Sequence, residues 1–282
     1  MRKWLSVFLW LPLVLIACSP NNVTKDDSLK KYFDAERVNG CFALLDNGQG
    51  SYTIYNLSRY RDSAFLPAST FKIVNSLIGL QTGQANDTSM VIPWDRVVRP
   101  IREWNQDLTM AQAFRYSAVP WYQELARRIG KDTMQHWLDT LQYAGLKDTL
   151  QYAALTGRAV VKQIDTFWLD NSVRVTADEQ LGLVKRLYFH QLPFFNRPQD
   201  MVKGMMLQEN NSDYKLSYKT GWGHTDKGHA LGWIVGWIEE NIHPYFFVLQ
   251  IESADPQYDM GAVRLKILKE ILKQYGFMEG KK

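Results

Sequence analysis

Segments with the pattern of β-strands lie at both ends of this 282-residue chain, and a long helical stretch lies between them. Three apolar runs, at residues 215–220, 230–238 and 245–251, are separated by short polar connectors and predict an antiparallel meander. Two earlier runs, at 40–45 and 51–56, are joined by a turn-rich connector and predict a hairpin. We therefore expect hairpin and meander to share one antiparallel sheet.

Apolar residues at three- and four-residue spacing predict helices in the middle of the chain and at its end. These segments are residues 107–114, 121–129, 133–143, 177–189 and 258–275. The last segment has one apolar stripe opposite its lysines, formed by Val263, Ile267, Ile271 and Tyr275. The order of elements predicts an α/β (α+β) fold with α/β/α layers, in which the final helix covers one face of the sheet and the helical block forms a second lobe.

Composition and charge exclude several classes of function. Hydrophobic residues make up 46% of the chain, which is enough for the core of one large domain or a two-lobed unit. Without Arg2 and Lys3, in a segment that we expect to be removed, 31 basic residues stand against 29 acidic ones, so a nucleic-acid partner is not indicated. The histidines lack H-E-x-x-H spacing and no suitable cysteine pair accompanies them, so we predict no metal site.

The N-terminus has the pattern of an export signal, with a positively charged start followed by a short apolar run. Leu15-Ile16-Ala17-Cys18 resembles the bacterial lipobox, although ordinary secretion with an incidental cysteine is the alternative. We predict a signal peptide over residues 1–17, lipid modification of Cys18, a polar tether over 18–30 and a folded domain over 31–282. This organisation predicts an exported protein on the periplasmic side of a membrane, anchored there by its lipid.

A serine and a lysine three residues apart form a candidate nucleophile and base. The S-x-x-K pattern occurs three times, at Ser28/Lys31, Ser69/Lys72 and Ser212/Lys215. Only Ser69 follows a proline at the start of an apolar helical pattern, which predicts that Ser69 and Lys72 share one face of a helix start. There an amine can activate the hydroxyl, and free N–H groups can stabilise an oxyanion.

Two further elements follow this pair in a recognisable order. Ser117-Ala118-Val119 interrupts the helical block, and Lys219-Thr220-Gly221 follows a strand-like run. S-x-x-K followed by a serine element and K-T-G is the signature of active-site-serine β-lactamases and penicillin-binding proteins. The S-x-V form of the second element makes the chain resemble the class D, oxacillinase-type serine β-lactamases, over about residues 38–271. The resemblance extends to Trp104, Asp107-Leu108-Thr109, Ile164-Asp165-Thr166-Phe167-Trp168-Leu169 and Gly232-Trp233-x-x-Gly236-Trp237.

The resemblance implies hydrolysis of β-lactam antibiotics through an acyl-enzyme on Ser69. It implies that backbone N–H groups of Ser69 and Trp222 bind the oxyanion, and that Ser117 and Lys219 pass a proton to the lactam nitrogen. The other residues expected to contact substrate are Trp104, Val119, Leu169, Gly221 and the side chain of Trp222, with Thr220 and Arg264 at the substrate carboxylate.

Lys72 can act as a base only if its pKa is lowered, because an unperturbed lysine is protonated at pH 7. Apolar neighbours such as Phe71, Val119, Trp168 and Leu169 would favour the neutral amine by desolvation. In the resembled family this lysine is carboxylated by CO2, and the resulting carbamate is the general base, held by the indole N–H of the tryptophan that matches Trp168. We find no acidic residue in a context that would supply the deacylating glutamate of class A enzymes, so we expect a carboxylated Lys72 and no other cofactor.

Two alternatives remain, a β-lactam sensor that acylates without turnover and a penicillin-binding peptidase that acts on cell-wall peptides. The single cleavable apolar segment favours the enzyme over a sensor, and the absence of an S-x-N second element disfavours the peptidase. One departure from the family leaves the substrate range open: its Tyr-Gly-Asn element is replaced by Tyr143-Ala144-Gly145, followed by an extended segment over residues 146–157.

Overall fold

The computed structural model describes residues 22–145 and 158–280. Its strands are β1 Val23–Lys25, β2 Asn39–Asp46, β3 Ser51–Tyr55, β4 Ala64–Phe65, β5 Val91–Ile92, β6 Leu108–Thr109, β7 Val175–Thr176, β8 Leu207–Asn210, β9 Lys215–His224, β10 Ala230–Glu240 and β11 His243–Ser253. Its helices are α1 Lys30–Ala35, α2 Leu57–Asp62, α3 Lys72–Gln81, α4 Met110–Arg115, α5 Val119–Ile129, α6 Lys131–Leu141, α7 Ala177–Tyr188, α8 Asn196–Met206 and α9 Met260–Gln274.

The central sheet joins the two ends of the chain, as the strand pattern predicts. Seven strands lie in the order β1-β3-β2-β11-β10-β9-β8. Strand β2 of the hairpin pairs antiparallel with β11 of the meander, from Asp46 opposite Tyr245 to Asn39 opposite Glu252. The predicted antiparallel arrangement is confirmed for β2, β3 and β8 to β11, and β1 adds a parallel strand beside β3, so the complete sheet is mixed.

The N-terminal segment from residue 23 onward belongs to the folded domain. Val23–Lys25 pairs with residues 52–54 of β3, and Leu29 is fully buried. The predicted tether over residues 18–30 is therefore wrong from residue 23 onward. A short edge strand keeps most of its side chains exposed, so its polar composition resembles that of a linker. The predicted signal peptide and Cys18 lie outside the described residues.

Apolar layers cover both faces of the sheet. In β10 and β11, Val235 and Val248 face the larger core, whereas Ile234 and Leu249 face the smaller one. Helix α9 packs on the smaller-core face and α7 on the other. Strands covered on both faces appear as continuous apolar runs rather than as alternating patterns, as these do. The predicted α/β/α layering is thus confirmed.

Helix α3 lies at the centre of the helical lobe, and every residue from Lys72 to Gly79 is buried. Helices α5 and α8 pack against it. A side-chain carbon at Gly79 would lie 3.0 Å from the Leu125 methyl groups, so this glycine permits the close approach of α5. None of the described helices has both the length and the apolar character needed to cross a membrane.

Candidate active site

The turn that precedes α3 positions the candidate nucleophile. Residues Ala68–Phe71 form a 3-10 turn that continues directly into α3, so Ser69 lies one turn before Lys72. Lys72 Nζ lies 2.7 Å from Ser69 Oγ. Ser69 is 7% exposed whereas Lys72 is fully buried, so the hydroxyl retains some access to solvent while the amine is enclosed. The predicted pairing of these two side chains is therefore present.

Tight packing holds this turn in a strained conformation. Ala68 has a φ of +48°, which L-residues seldom adopt, and its N–H donates to the carbonyl of Trp168 at 3.1 Å. On the other side, a side-chain carbon at Gly221 would lie 3.0 Å from the Pro67 carbonyl oxygen, so β9 lies directly against the turn. The surrounding contacts thus fix the backbone next to Ser69.

Burial controls the charge of Lys72. It lowers the pKa of this amine from 10.5 to about 7, and no carboxylate among the described residues opposes that shift. The ring of Tyr122 covers the amine at 5.4 Å, and the Tyr122 hydroxyl is held by Ser76 Oγ at 2.8 Å. The neutral form of the Lys72 amine is therefore accessible near pH 7.

Trp168 presents a buried hydrogen-bond donor beside the turn that carries Ser69. Its ring is fully buried and stacks on Phe71, the residue before Lys72, with ring centroids 5.3 Å apart. Among the described residues the indole Nε1 has no hydrogen-bond partner. A buried donor without an acceptor destabilises the fold by about 1–3 kcal/mol, so this position favours an anionic or polar acceptor.

The second serine and lysine of the motif lie in direct contact. Lys219 Nζ donates to Ser117 Oγ at 3.0 Å and to the Thr220 carbonyl at 2.9 Å. Burial lowers the pKa of Lys219 well below its ordinary value, and the positive charges of Lys72 and Arg264 lower it further. Ser117 has a φ of +56°, so this serine also lies on strained backbone. The contact therefore provides a direct path for proton transfer between the two side chains.

Arg264 lies at the edge of the same cleft and is not a freely solvated helix residue. It projects from the first turns of α9, is partly buried and donates from Nη1 to the Gly221 carbonyl. Burial lowers the pKa of this guanidinium to about 10, so it stays charged at neutral pH. Trp222, the next residue of β9, is 52% exposed and forms part of the cleft surface.

The other predicted contact residues lie on segments next to Ser117 and Trp168. Trp104 donates from its indole to the carbonyl of Tyr116 at 3.0 Å, which places it beside the Ser117 loop. Val119 begins α5, and partly buried Leu169 directly follows Trp168 and packs against the larger core. The competing S-x-x-K pairs lie elsewhere, on exposed positions 28, 31, 212 and 215.

Sequence reasoning missed two aromatic residues whose rings lie close to the amines of the two lysines. Tyr122 covers Lys72, and the Phe114 ring lies 5.4 Å from Lys219 Nζ. Both residues occupy ordinary apolar positions of amphipathic helices, so their sequence gives no signal of this role. In the element that departs from the family, Ala144 has a φ of +62° at the place where the family has glycine. The extended segment over 146–157 lies outside the described residues.

Metal ligands do not converge in the part of the chain that the structure describes. Among residues 22–145 and 158–280, no group of three or more His, Cys, Asp or Glu side chains is placed to hold a metal ion.

Comparisons with known proteins identify the family of this chain. The model of the penicillin binding protein transpeptidase domain matches residues 29–273. The β-lactamase OXA-48 of Klebsiella pneumoniae is 35% identical over 269 residues, which cover 95% of this chain and 96% of that protein. The probable β-lactamase YbxI of Bacillus subtilis strain 168 is 36% identical over 289 residues, with 99% of each chain covered.

A solved class D β-lactamase, FUS-1 of Fusobacterium nucleatum subsp. polymorphum, superimposes with a TM-score of 0.80 at 31% identity. The match covers 91% of this chain and all of that one. Family model, relatives and structural neighbour all indicate the same family. The chain belongs to the class D serine β-lactamases.

Proposed function

We propose that Ser69 is the acylated nucleophile of this β-lactamase and that Lys72, carboxylated on Nζ, is its general base. One observation carries the proposal: a fully buried amine with a pKa of about 7 lies 2.7 Å from Ser69 Oγ. A neutral amine can attack the carbon of CO2, which forms an N–C bond and releases one proton. The unpartnered Trp168 N–H supports the proposal, because a carbamate oxygen beside it would satisfy this donor.

In acylation, Ser69 Oγ attacks the lactam carbonyl carbon and passes its proton to the carboxylated Lys72. The N–H groups of Ser69 and Trp222 hold the developing oxyanion. The carbon–nitrogen bond of the ring then breaks, and the nitrogen receives a proton from Ser117, which Lys219 replaces across their 3.0 Å contact. By exchange with solvent, the carboxylated Lys72 releases the proton taken from Ser69 and Lys219 regains the one it gave up. The product is an ester between Ser69 and the opened lactam.

In deacylation, a water molecule gives its proton to the carboxylated Lys72 and attacks the ester carbon. The ester bond breaks and Ser69 Oγ takes the proton held by the carboxylated Lys72, which restores the free enzyme. The same base therefore serves both halves of the reaction. In both halves Thr220 and Arg264 would hold the substrate carboxylate, with Trp104, Val119, Leu169, Gly221 and Trp222 lining the remaining surface.

Turnover of a chromogenic cephalosporin tests this function. We expect many product molecules per enzyme from residues 19–282, and none from the Ser69→Ala variant, which lacks the nucleophile. A burst of one equivalent followed by a stable adduct would instead identify a sensor. Because Lys72 protonates as the pH falls through about 7, activity should decline below that pH and rise again when bicarbonate is added. Activity indifferent to bicarbonate at pH 6 would contradict the carboxylated base.

We also propose that the protein is exported and anchored on the periplasmic side of a membrane by a lipid on Cys18. The support is the lipobox-like Leu15-Ile16-Ala17-Cys18 after a short apolar segment. The full-length protein should fractionate with membranes, and the Cys18→Ser variant should be released in soluble form. A Cys18→Ser protein that stays with the membrane would show that lipidation is not the anchor.

A further inference from the structure

A recess in the surface adjoins the active-site cleft on the side of Arg264. It has a volume of about 350 Å³, and its walls include Trp222 from β9 together with Tyr258 and Asp259 from the segment that leads into α9. Arg264 itself lines the recess, so a molecule whose carboxylate contacts this arginine would place its neighbouring atoms there. The recess is therefore positioned to contact substrate.

The aromatic walls of this recess are held in place. The Trp222 ring is half exposed and lies against the His224 ring, with centroids 6.0 Å apart. His224 Nε2 donates in turn to the Pro256 carbonyl at 3.0 Å, which ties the end of β9 to the approach to α9. Tyr258 is fixed by its hydroxyl, which donates to the Glu36 carbonyl. Two aromatic side chains thus border the recess.

The charge in the recess is negative once Arg264 is neutralised. Asp259 caps α9, and its Oδ1 accepts from the N–H groups of Gly261 and Ala262 at 2.9 and 3.2 Å. The helix dipole offsets only part of the negative charge of that carboxylate. Arg264 is the single cation that lines the recess among the described residues, and the carboxylate of a bound substrate would cancel it.

We propose that this recess is a subsite for a cationic substituent on the substrate, with Asp259 as its specificity-determining residue. Aromatic faces and a carboxylate together recognise quaternary ammonium and pyridinium groups. In a cephalosporin, the substituent on the ring carbon next to the one bearing the carboxylate points away from the lactam carbonyl. With the carboxylate on Arg264, that substituent reaches the recess. The inference rests on the proposed function of the Ser69 site.

A matched pair of cephalosporins tests the subsite. Cephaloridine and cephalothin share the same acyl side chain but carry a pyridinium and an acetoxy group, respectively, at this position. We expect Asp259→Asn to lower the ratio of kcat/KM for cephaloridine over cephalothin about fivefold, because asparagine keeps the helix cap but removes the charge. Trp222→Leu should lower the same ratio through loss of the aromatic face. Raising the ionic strength should lower the wild-type ratio too.

Asp255→Asn is the matched control, because this carboxylate caps the same segment at Gln257 N–H but does not line the recess. The ratio of kcat/KM values for the two cephalosporins should be the same in Asp255→Asn as in the wild type. If this ratio falls as much as it does in Asp259→Asn, the effect is one of general charge and the subsite is overturned. Unchanged ratios in both Asp259→Asn and Trp222→Leu would overturn it as well. If the wild type acylates without turnover, the proposed hydrolysis fails, and the ratio of the two acylation rate constants then tests the subsite independently.

Discussion

The Lys72→Ala variant should lose about 10³-fold in kcat, within the range that a positioned general base contributes. The variant lacks the group that accepts the proton of Ser69 Oγ and later that of the hydrolytic water. Since acylation uses the intrinsic reactivity of the strained lactam, deacylation should be the more impaired half, and the acyl-enzyme should accumulate. Steady-state kinetics with a chromogenic cephalosporin and mass measurement of the intact protein check both expectations.

Lys215→Ala is the control for this variant, because it removes the lysine of another S-x-x-K pair at an exposed position. Its kcat should match that of the wild type. Accumulation of the acyl adduct on Lys72→Ala would also show that the variant is folded, since acylation needs an assembled cleft. A Lys72→Ala enzyme that retains more than a tenth of the wild-type kcat would exclude this lysine as the base.

The Trp168→Phe variant should slow deacylation about 10²-fold at ambient CO2, since the ring is kept but its N–H is lost. We expect the lost N–H to weaken retention of the carbamate on Lys72, so high bicarbonate should restore much of the rate. This rescue separates an effect on the modification from an effect on packing. Measuring kcat across a bicarbonate series, for variant and wild type together, gives the comparison.

Trp237→Phe is the matched control for Trp168→Phe. Trp237 is also buried, and its indole nitrogen likewise has no partner among the described residues. Its ring, however, packs against Tyr188 of α7 and not against Phe71. Trp237→Phe should therefore change stability without changing the dependence on bicarbonate. The same bicarbonate response in both variants would show that Trp168 does not hold the carbamate.

The sequence predicts the parts of this fold that local patterns determine. The meander and hairpin are long enough for their apolar residues and turns to mark them, and the proline before Ser69 marks the start of the helical segment that carries the nucleophile. Strand β1 has only three residues, too few to show a periodic pattern, so its segment resembled a tether. Helix α8 was missed as well, because three polar residues and a proline form its first turn.

The geometry of the cleft is predicted less completely. The motifs identify Ser69, Lys72, Ser117 and Lys219, and the structure brings each serine to its lysine. The pKa of Lys72 depends on burial that no single motif contains, because Tyr122 reaches the amine only through the packing of α5 on α3. The positive φ at Ser117 likewise comes from tertiary contacts, since serine has no intrinsic preference for it.

Strand β1 has a consequence for where this enzyme can work. With Val23 fixed in the sheet, a lipid attached to Cys18, as proposed, would be separated from the folded domain by only five residue steps, which span at most about 18 Å. The edge of the sheet would then stay within this distance of the bilayer. The domain could not diffuse through the rest of the compartment. Drug molecules would be destroyed mainly in a thin layer at the membrane surface, at a rate governed by their local concentration there.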